Sequence, residues 1–148
     1  GLNPGRENRY AGGLSMGGYG AANLVLRHPE SFSKGILMSP AVWYEMNEET
    51  VTYNWHVFRD EKKAFDHAMW AKEHPASQIA AFDEKGLDVS FYVITGKKDE
   101  AVSYEIVEKF VEDLKQSEHI KVEAVYDEEG IHAWPFWEKA MEKALTEF

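Results

Sequence analysis

The sequence has no cysteine among its 148 residues. This absence excludes disulfide bonds, thiolate metal sites and a cysteine nucleophile. None of the six histidines falls in an H-E-x-x-H or comparable ligand spacing, so we expect no metal site. No apolar run approaches the length of a membrane span, and no signal-like segment opens the chain, which favours a cytoplasmic protein without a membrane partner.

Basic residues are scarce as well. The chain has 16 Lys and Arg against 26 Asp and Glu, which gives a net charge of −10. Because no basic patch is available to neutralise phosphates, this balance argues against nucleic acid or an anionic membrane as a partner. Apolar residues make up 44% of the chain, enough for a core, and the length fits a single domain over residues 1–148.

The most informative motif that is present lies near the start. Residues 13–17 read G-L-S-M-G, a G-x-S-x-G pattern between a short apolar run and a helix-like segment. A nucleophile elbow requires this context, with a serine held on a sharp strand-to-helix turn. We expect a side chain at Gly13 or Gly17 to collide with the neighbouring strand or helix. Ser15 is therefore a candidate nucleophile, and the alternative is a small turn residue that caps the helix.

Two later strand ends carry an acid and a histidine. The β-rich run 89–96 ends at Gly96, and Asp99 lies three residues beyond it. A second run, 122–126, leads into a short acidic loop that carries His132. The order Ser, Asp, His is the one that an α/β-hydrolase uses. Since reactive groups gather at the carboxyl ends of parallel strands, all three side chains are able to meet at one edge of the sheet.

Each of these residues has a plainer interpretation. Asp99 could simply cap the following helix, a role partly compatible with orienting a histidine, and Asp127 is its nearest rival as the acid. His132 could be an ordinary loop histidine. The remaining histidines lie on helical or charged segments, where we expect solvated surface positions: His28, His56, His67, His74 and His119.

The apolar pattern predicts alternating strands and helices. We expect strands at 9–13, 35–39, 89–96 and 121–126, and helices at 16–27, 62–72 and 101–116, with a last helix that has Trp134, Trp137, Met141, Ala144, Leu145 and Phe148 on one face. Residues from about 41 to 82 are less regular and rich in aromatics, which are more often core than pocket. Of these rings we expect Trp43 first to reach the site, and Trp134 to support the histidine loop.

Together these motifs resemble the esterase-D-like branch of the α/β-hydrolases, which includes tributyrin, acetyl-xylan and feruloyl esterases and S-formylglutathione hydrolases. The matching segments are 13–21 (G-L-S-M-G-G-Y-G-A), 96–99 (G-K-K-D) and 130–137 (G-I-H-A-W-P-F-W). The resemblance runs across nearly the whole chain and is loose in the middle. It implies that Ser15 is the nucleophile, His132 the general base and Asp99 the acid that orients His132.

The resemblance also implies that much of the family's fold lies outside this sequence. A complete α/β-hydrolase sheet has about eight strands with the serine after the fifth, and a second oxyanion donor comes from a loop after the third. With Ser15 so early, we expect a partial α/β-hydrolase fold, the C-terminal half of a mostly parallel sheet with flanking helices. The segment at about 41–82 follows the family's sixth strand, where members build a cap and part of the pocket.

The implied chemistry is two-step acyl transfer that needs no cofactor. The N–H of Met16, directly after the nucleophile, is one oxyanion donor. The resemblance favours short-chain acyl or acetyl esters, including acylated sugars, as small-molecule substrates, with Trp43 and Trp134 as candidate contacts. Two alternatives stay open: an acyltransferase on the same scaffold, and a non-catalytic hydrolase-like fragment. An open sheet edge beside the Ser15 strand further predicts self-association into a homo-oligomer.

Overall fold

A computed structural model describes residues 5–47, 58–62 and 64–148. Within these residues four strands form one sheet in the order β1-β2-β3-β4, and every pairing is parallel. The strands are β1 Tyr10–Leu14, β2 Lys34–Met38, β3 Val89–Gly96 and β4 Ile120–Asp127. The helices are α1 Met16–Arg27, α2 His67–Glu73, α3 Ile79–Asp83, α4 Tyr104–Leu114 and α5 Trp134–Glu147. Short 3-10 turns lie at Arg6–Asn8 and Pro75–Gln78.

Helices cover the sheet on both faces. Alternate residues of β2 and β3 point to opposite sides, so Leu37 and Phe91 lie in one core whereas Ile36 and Tyr92 lie in the other. The first core also contains buried residues of α1 and α4, and the second contains the inner face of α5. Strands buried on both faces read as continuous apolar runs, which is the pattern of β3. Because all four strands are parallel, their carboxyl ends lie along the same edge of the sheet.

The helix behind the elbow, α1, has the predicted bounds, whereas α4 begins later than predicted. Val107, Phe110 and Leu114 of the predicted apolar stripe are fully buried in α4. The helix starts at Tyr104 because the N–H groups of residues 101 and 102 are held in a turn by the Asp99 side chain. The carboxylate of Asp99 thus holds residues 101 and 102 in a turn, although their helix propensity favours a place in α4.

The predicted face of α5 is partly wrong. The structure buries Phe136, Trp137, Ala140 and Ala144, whereas Trp134 and Leu145 are exposed. The buried face is thus rotated relative to the one that the apolar spacing favours. The reason is tertiary: Phe136 packs against Gly130, so the loop before α5 sets which side of the helix meets the sheet.

The segment after β2 is held against α1. Trp70 of α2 stacks on Tyr19 of α1 with ring centroids 4.9 Å apart, and it is almost fully buried. Tyr19 and Asn23 both donate to the carbonyl of Glu73. The helix α2 begins at His67 rather than near residue 62, because the Asp66 side chain accepts the N–H of residue 69 at 2.9 Å. Residues 48–57 and 63, with Tyr53 and Trp55 among them, lie outside the described residues.

The prediction of a surface position for His74 is wrong. Only 3% of this residue is exposed. Its Nε2 lies 3.0 Å from the carbonyl of Val42, and its Nδ1 accepts the N–H of Ala76 at 3.1 Å. Burial lowers the pKa of His74. The imidazole therefore joins the chain after β2 to the 3-10 turn before α3.

Of the helices in the described ranges, none is long and apolar enough to cross a bilayer.

Candidate active site

Ser15 is the single residue between β1 and α1. Its φ of 51° and ψ of −119° lie in a region that non-glycine residues rarely adopt, and such strain is concentrated at functional sites. Its N–H donates to the carbonyl of Met38 at 2.9 Å, and its own carbonyl accepts the N–H of Ala41 at 2.9 Å. Its side chain makes no capping hydrogen bond. The serine hydroxyl is therefore presented at the sheet edge and does not serve as a helix cap.

The glycines around Ser15 have unequal roles. A Cβ atom at Gly13 would lie 2.3 Å from the backbone of Gly17, so the predicted collision at Gly13 is confirmed. A Cβ atom at Gly17 would meet nothing within 4 Å, so the same prediction for Gly17 is wrong. Gly17 lies on the exposed side of α1. The second close approach comes instead from Gly18, where a Cβ atom would lie 2.9 Å from Pro40.

His132 lies between Ser15 and Asp99. Its Nε2 is 2.9 Å from Ser15 Oγ, and its Nδ1 is 2.7 Å from Asp99 Oδ2. The imidazole is 20% exposed and the Asp99 side chain is completely buried. Three residues from three strand ends thus form one continuous line of hydrogen bonds, over sequence separations of 117 and 33 residues.

Asp99 uses its two oxygens separately. While Oδ2 faces His132, Oδ1 accepts the N–H groups of Ala101 at 2.9 Å and Val102 at 2.8 Å. Asp99 therefore contacts the imidazole, but it does not cap α4, because the turn that it stabilises precedes that helix and the N-cap residue is Ser103. The rival acid, Asp127, accepts the N–H of Glu129 at 2.9 Å in the loop that leads to the histidine.

The loops that carry Asp99 and His132 touch backbone to backbone. A Cβ atom at Gly96 would lie 2.1 Å from the carbonyl oxygen of Gly130, and one at Gly130 would lie 2.7 Å from Cα of Gly96. The N–H of Lys98 donates to that same carbonyl of Gly130 at 3.0 Å. The only sequence signal for this role of Gly130 is its place two residues before His132.

The ring against the histidine belongs to Trp137. Its centroid lies 4.9 Å from that of His132 in a perpendicular arrangement, and its Nε1 donates to Ser39 Oγ at 3.2 Å. Trp134, the predicted support of the loop, is 64% exposed and lies edge-to-face on Trp137 at 5.7 Å. Support of the imidazole thus comes from a residue one helical turn later than expected.

Met16 directly follows Ser15 within the elbow, and Trp43 lies in the segment after β2. The Trp43 ring is half-buried against the core beneath α1, and its carbonyl accepts the indole N–H of Trp70 at 2.8 Å. Met16 is the first residue of α1. The first N–H groups of a helix have no partner within it and carry a partial positive charge. The Met16 N–H is therefore a suitable donor to an anionic oxygen that forms beside Ser15.

Among the described residues no group of His, Asp and Glu side chains could hold a metal ion.

Comparison with known proteins gives one family and a consistent set of structures. The family model described as "Putative esterase" matches residues 2–148. An acetyl esterase of Caldicellulosiruptor saccharolyticus is 30% identical over 151 residues, covering 95% of this chain and 54% of that protein. The chain thus spans about half the length of the curated relative that it matches.

Solved structures of low sequence identity share the fold. The apoenzyme of an S-formylglutathione hydrolase (FrmB) from Staphylococcus aureus aligns with a TM-score of 0.68 at 20% identity, over 98% of this chain and 52% of that one. A ferulic acid esterase aligns with a TM-score of 0.66 at 21% identity, over 96% and 51%. The substrate-bound fluorophosphonate-binding serine hydrolase FphF of Staphylococcus aureus gives 0.70 at 20%, over 98% and 55%.

Proposed function

The chain belongs to the esterase family whose model it matches, and from that premise we propose that it supplies the catalytic triad of a serine carboxylic-ester hydrolase. Its sheet is a partial α/β-hydrolase fold, since an S-formylglutathione hydrolase and a serine hydrolase of known structure align with it over about half of their own length. The observation that carries the proposal is the unbroken hydrogen-bonded line from Ser15 Oγ through His132 to Asp99.

In the proposed reaction His132 acts first as a base. A carboxylate only accepts hydrogen bonds, so Asp99 Oδ2 fixes the tautomer in which Nδ1 carries the proton and Nε2 is free. Nε2 then takes the proton of Ser15 as Oγ attacks the ester carbonyl carbon. The buried carboxylate stabilises the imidazolium that results.

Collapse of the tetrahedral intermediate breaks the bond between the carbonyl carbon and the alcohol oxygen. His132 returns its proton to that oxygen, so the alcohol leaves neutral and the acyl group stays on Ser15. Water then repeats the sequence on the acyl-enzyme, releases the acid and restores the hydroxyl. The N–H of Met16 is proposed to stabilise the oxyanion in both halves, a contribution worth about 10²–10³ in rate per donor.

We propose short-chain acyl esters, acetyl esters foremost, as substrates. The related acetyl esterase supports the acyl group. Trp134 supports a substrate contact on the histidine side, because its ring is largely exposed and only two residues from His132. Trp43 is proposed as a contact on the side of Ser15 away from His132. Its ring is half-buried, and it lies three residues after Pro40, which packs closely against Gly18 of α1.

The test is fluorophosphonate labelling of the full-length protein, with hydrolysis of p-nitrophenyl acetate measured in parallel. We expect the probe to attach to Ser15, as located by peptide mass spectrometry, and Ser15→Ala to abolish both labelling and hydrolysis while the fold stays intact. Ser103→Ala is the matched control, because the Ser103 hydroxyl makes no capping bond at α4. Turnover at the wild-type rate in Ser15→Ala, or label on a different residue, would refute the assignment.

A further inference from the structure

The end of β2 contacts Ser15 directly and reaches His132 through Trp137. Met38, its last residue, accepts the backbone N–H of Ser15 at 2.9 Å. The next residue, Ser39, accepts the indole N–H of Trp137 at 3.2 Å, and Trp137 lies against the imidazole of His132. Two consecutive residues therefore connect one strand end to both partners of the Ser15–His132 hydrogen bond.

The backbone of Ser39 has an unusual, left-handed conformation. Its φ is 43°, and it is one of the two non-glycine residues with positive φ in the part of the chain that the structure describes, Ser15 being the other. It is completely buried, and its N–H donates to the carbonyl of Ile94 at 2.8 Å. A strained backbone persists only where the surrounding structure holds it. Here the hydroxyl is the partner of a buried indole N–H, which would otherwise be unsatisfied.

Trp137 in turn restricts the imidazole. The two rings are nearly perpendicular at 84°, the edge-to-face geometry that aromatic pairs favour. Rotation of the His132 ring would break its bonds to Ser15 and Asp99, and Trp137 occupies space beside that ring. Since Trp137 is only 8% exposed and is bonded through its Nε1, it cannot readily move aside.

We infer that Trp137 is a positioning residue for His132 and that Ser39 fixes it by accepting the indole N–H. This inference rests on the proposed function, because it assigns the pair to the alignment of the general base. Neither residue touches the reacting atoms. Their effect is on the distance and orientation of Nε2 relative to Ser15 Oγ.

The kinetic test uses Trp137→Leu, Trp137→Phe and two substitutions of Ser39. Trp137→Leu removes the aromatic ring that lies against His132. We expect kcat to fall about 10- to 100-fold at unchanged KM, the scale of a misplacement of the imidazole by about 1 Å. Trp137→Phe keeps a ring but loses the indole N–H, so it should recover only part of that loss. Ser39→Ala and Ser39→Gly both remove the acceptor, yet only glycine adopts the left-handed backbone freely. Similar losses of kcat in the two would show that the hydroxyl, and not the backbone strain, matters.

A spectroscopic test does not depend on activity. The ring signals of His132 in ¹H–¹³C correlation spectra should shift or broaden in Ser39→Ala, and adding Ser39→Ala to Trp137→Leu should cause no further change. Tyr92→Leu is the matched control. Tyr92 is a buried ring of the same core, but it contacts Phe148, directly after the C-terminal end of α5. It should lower stability without moving the His132 signals.

The outcomes separate the two proposals. If hydrolysis is absent but the His132 signals respond to Ser39→Ala, the proposed function fails, whereas the placement of the imidazole by Ser39 and Trp137 stands. If hydrolysis is present and Ser39→Ala leaves both kcat and the His132 signals unchanged, the positioning role is overturned and the proposed function stands.

Discussion

Asp99 and His132 are joined at 2.7 Å through the one carboxylate oxygen that the loop leaves free. The other oxygen, Oδ1, is committed to two backbone N–H groups at 2.8 and 2.9 Å. The carboxylate therefore cannot rotate to present either oxygen to the imidazole. Its orientation is set by the same turn that delays the start of α4, so local backbone structure and the proposed catalytic geometry depend on one side chain.

Asp99→Asn should separate these two roles. The amide oxygen can still accept the bonds of the turn, so stability should change little. The NH₂ group would then face Nδ1 of His132 and favour the tautomer whose proton lies on Nε2, which cannot accept the serine proton. By analogy with other serine hydrolases, kcat should fall by about 10⁴. Asp99→Ala should in addition lose the turn bonds and about 1 kcal/mol or more of unfolding free energy. Steady-state kinetics and urea unfolding check both, and equal stability of the two variants would contradict this account.

Gly13→Ala and Gly17→Ala should have opposite effects on stability. The new methyl group at residue 13 would lie 2.3 Å from the Gly17 backbone, which must shift, and we expect a loss of about 1–3 kcal/mol. At residue 17 the methyl group meets nothing, so the better helix propensity of alanine should raise stability by up to about 1 kcal/mol. Thermal unfolding of both variants tests this. A destabilised Gly17→Ala would show that the elbow needs both glycines after all.

Stability should fall in mildly acidic solution because of His74. Burial is the main cause that lowers its pKa, with Lys109 acting the same way, while the bond to Val42 and the charge of Asp113 oppose it. The unfolded chain takes up the proton near the ordinary value of about 6.5, whereas the folded protein resists it. The contribution of His74 is thus present above that pH and is lost as the pH falls, by at most about 1.4 kcal/mol per pH unit.

The His74→Gln variant is the control for this pH effect, since glutamine has no proton to gain in that range. Urea unfolding at pH 8 and pH 5.5 should show a larger decrease for the wild type than for His74→Gln. The exposed pair of His119 and Asp88, which raises the pKa of His119, acts in the opposite direction in both proteins and cancels in the comparison. Parallel pH profiles would show that His74 carries no such linkage.

The 148-residue chain on its own should associate and hydrolyse esters weakly or not at all. In the described sheet β1 pairs only with β2, so its outer edge offers free N–H and C=O groups to another strand. Size-exclusion chromatography over a range of concentrations tests this, with Gly12→Lys as the matched variant. A Cβ atom at Gly12 has ordinary contact distances of 3.6 Å, and the lysine would place a charge on the edge. We expect more monomer in Gly12→Lys. A wild-type chain that stays monomeric with full turnover would contradict the prediction.

The three residues of the proposed triad could be selected from the sequence because each follows a strand end that the local pattern reveals. The bounds of α1 were predictable for the same reason, with the elbow before it and a proline after it. The face of α5 was not predictable. Trp134 and Trp137 are one turn apart, and spacing alone does not say which of them meets His132 when the path of the preceding loop is unknown.

Other features depend on contacts that leave no local signal. The burial of His74 follows from the carbonyl of Val42, 32 residues earlier in the chain. The left-handed backbone of Ser39 follows from its bonds to Ile94 and Trp137, which come from a neighbouring strand and a distant helix. Serine has no intrinsic preference for that conformation, so only the assembled sheet edge reveals it.

The contact between Gly96 and Gly130 limits how this protein can be re-engineered. Neither residue has room for a side chain, because each faces the backbone of the other. A histidine loop transplanted from another protein would therefore have to bring its own version of the preceding β3 terminus. Loop lengths can be varied only beyond the contact between Gly96 and Gly130. The loop that carries Asp99 and the loop that carries His132 would therefore have to be exchanged together.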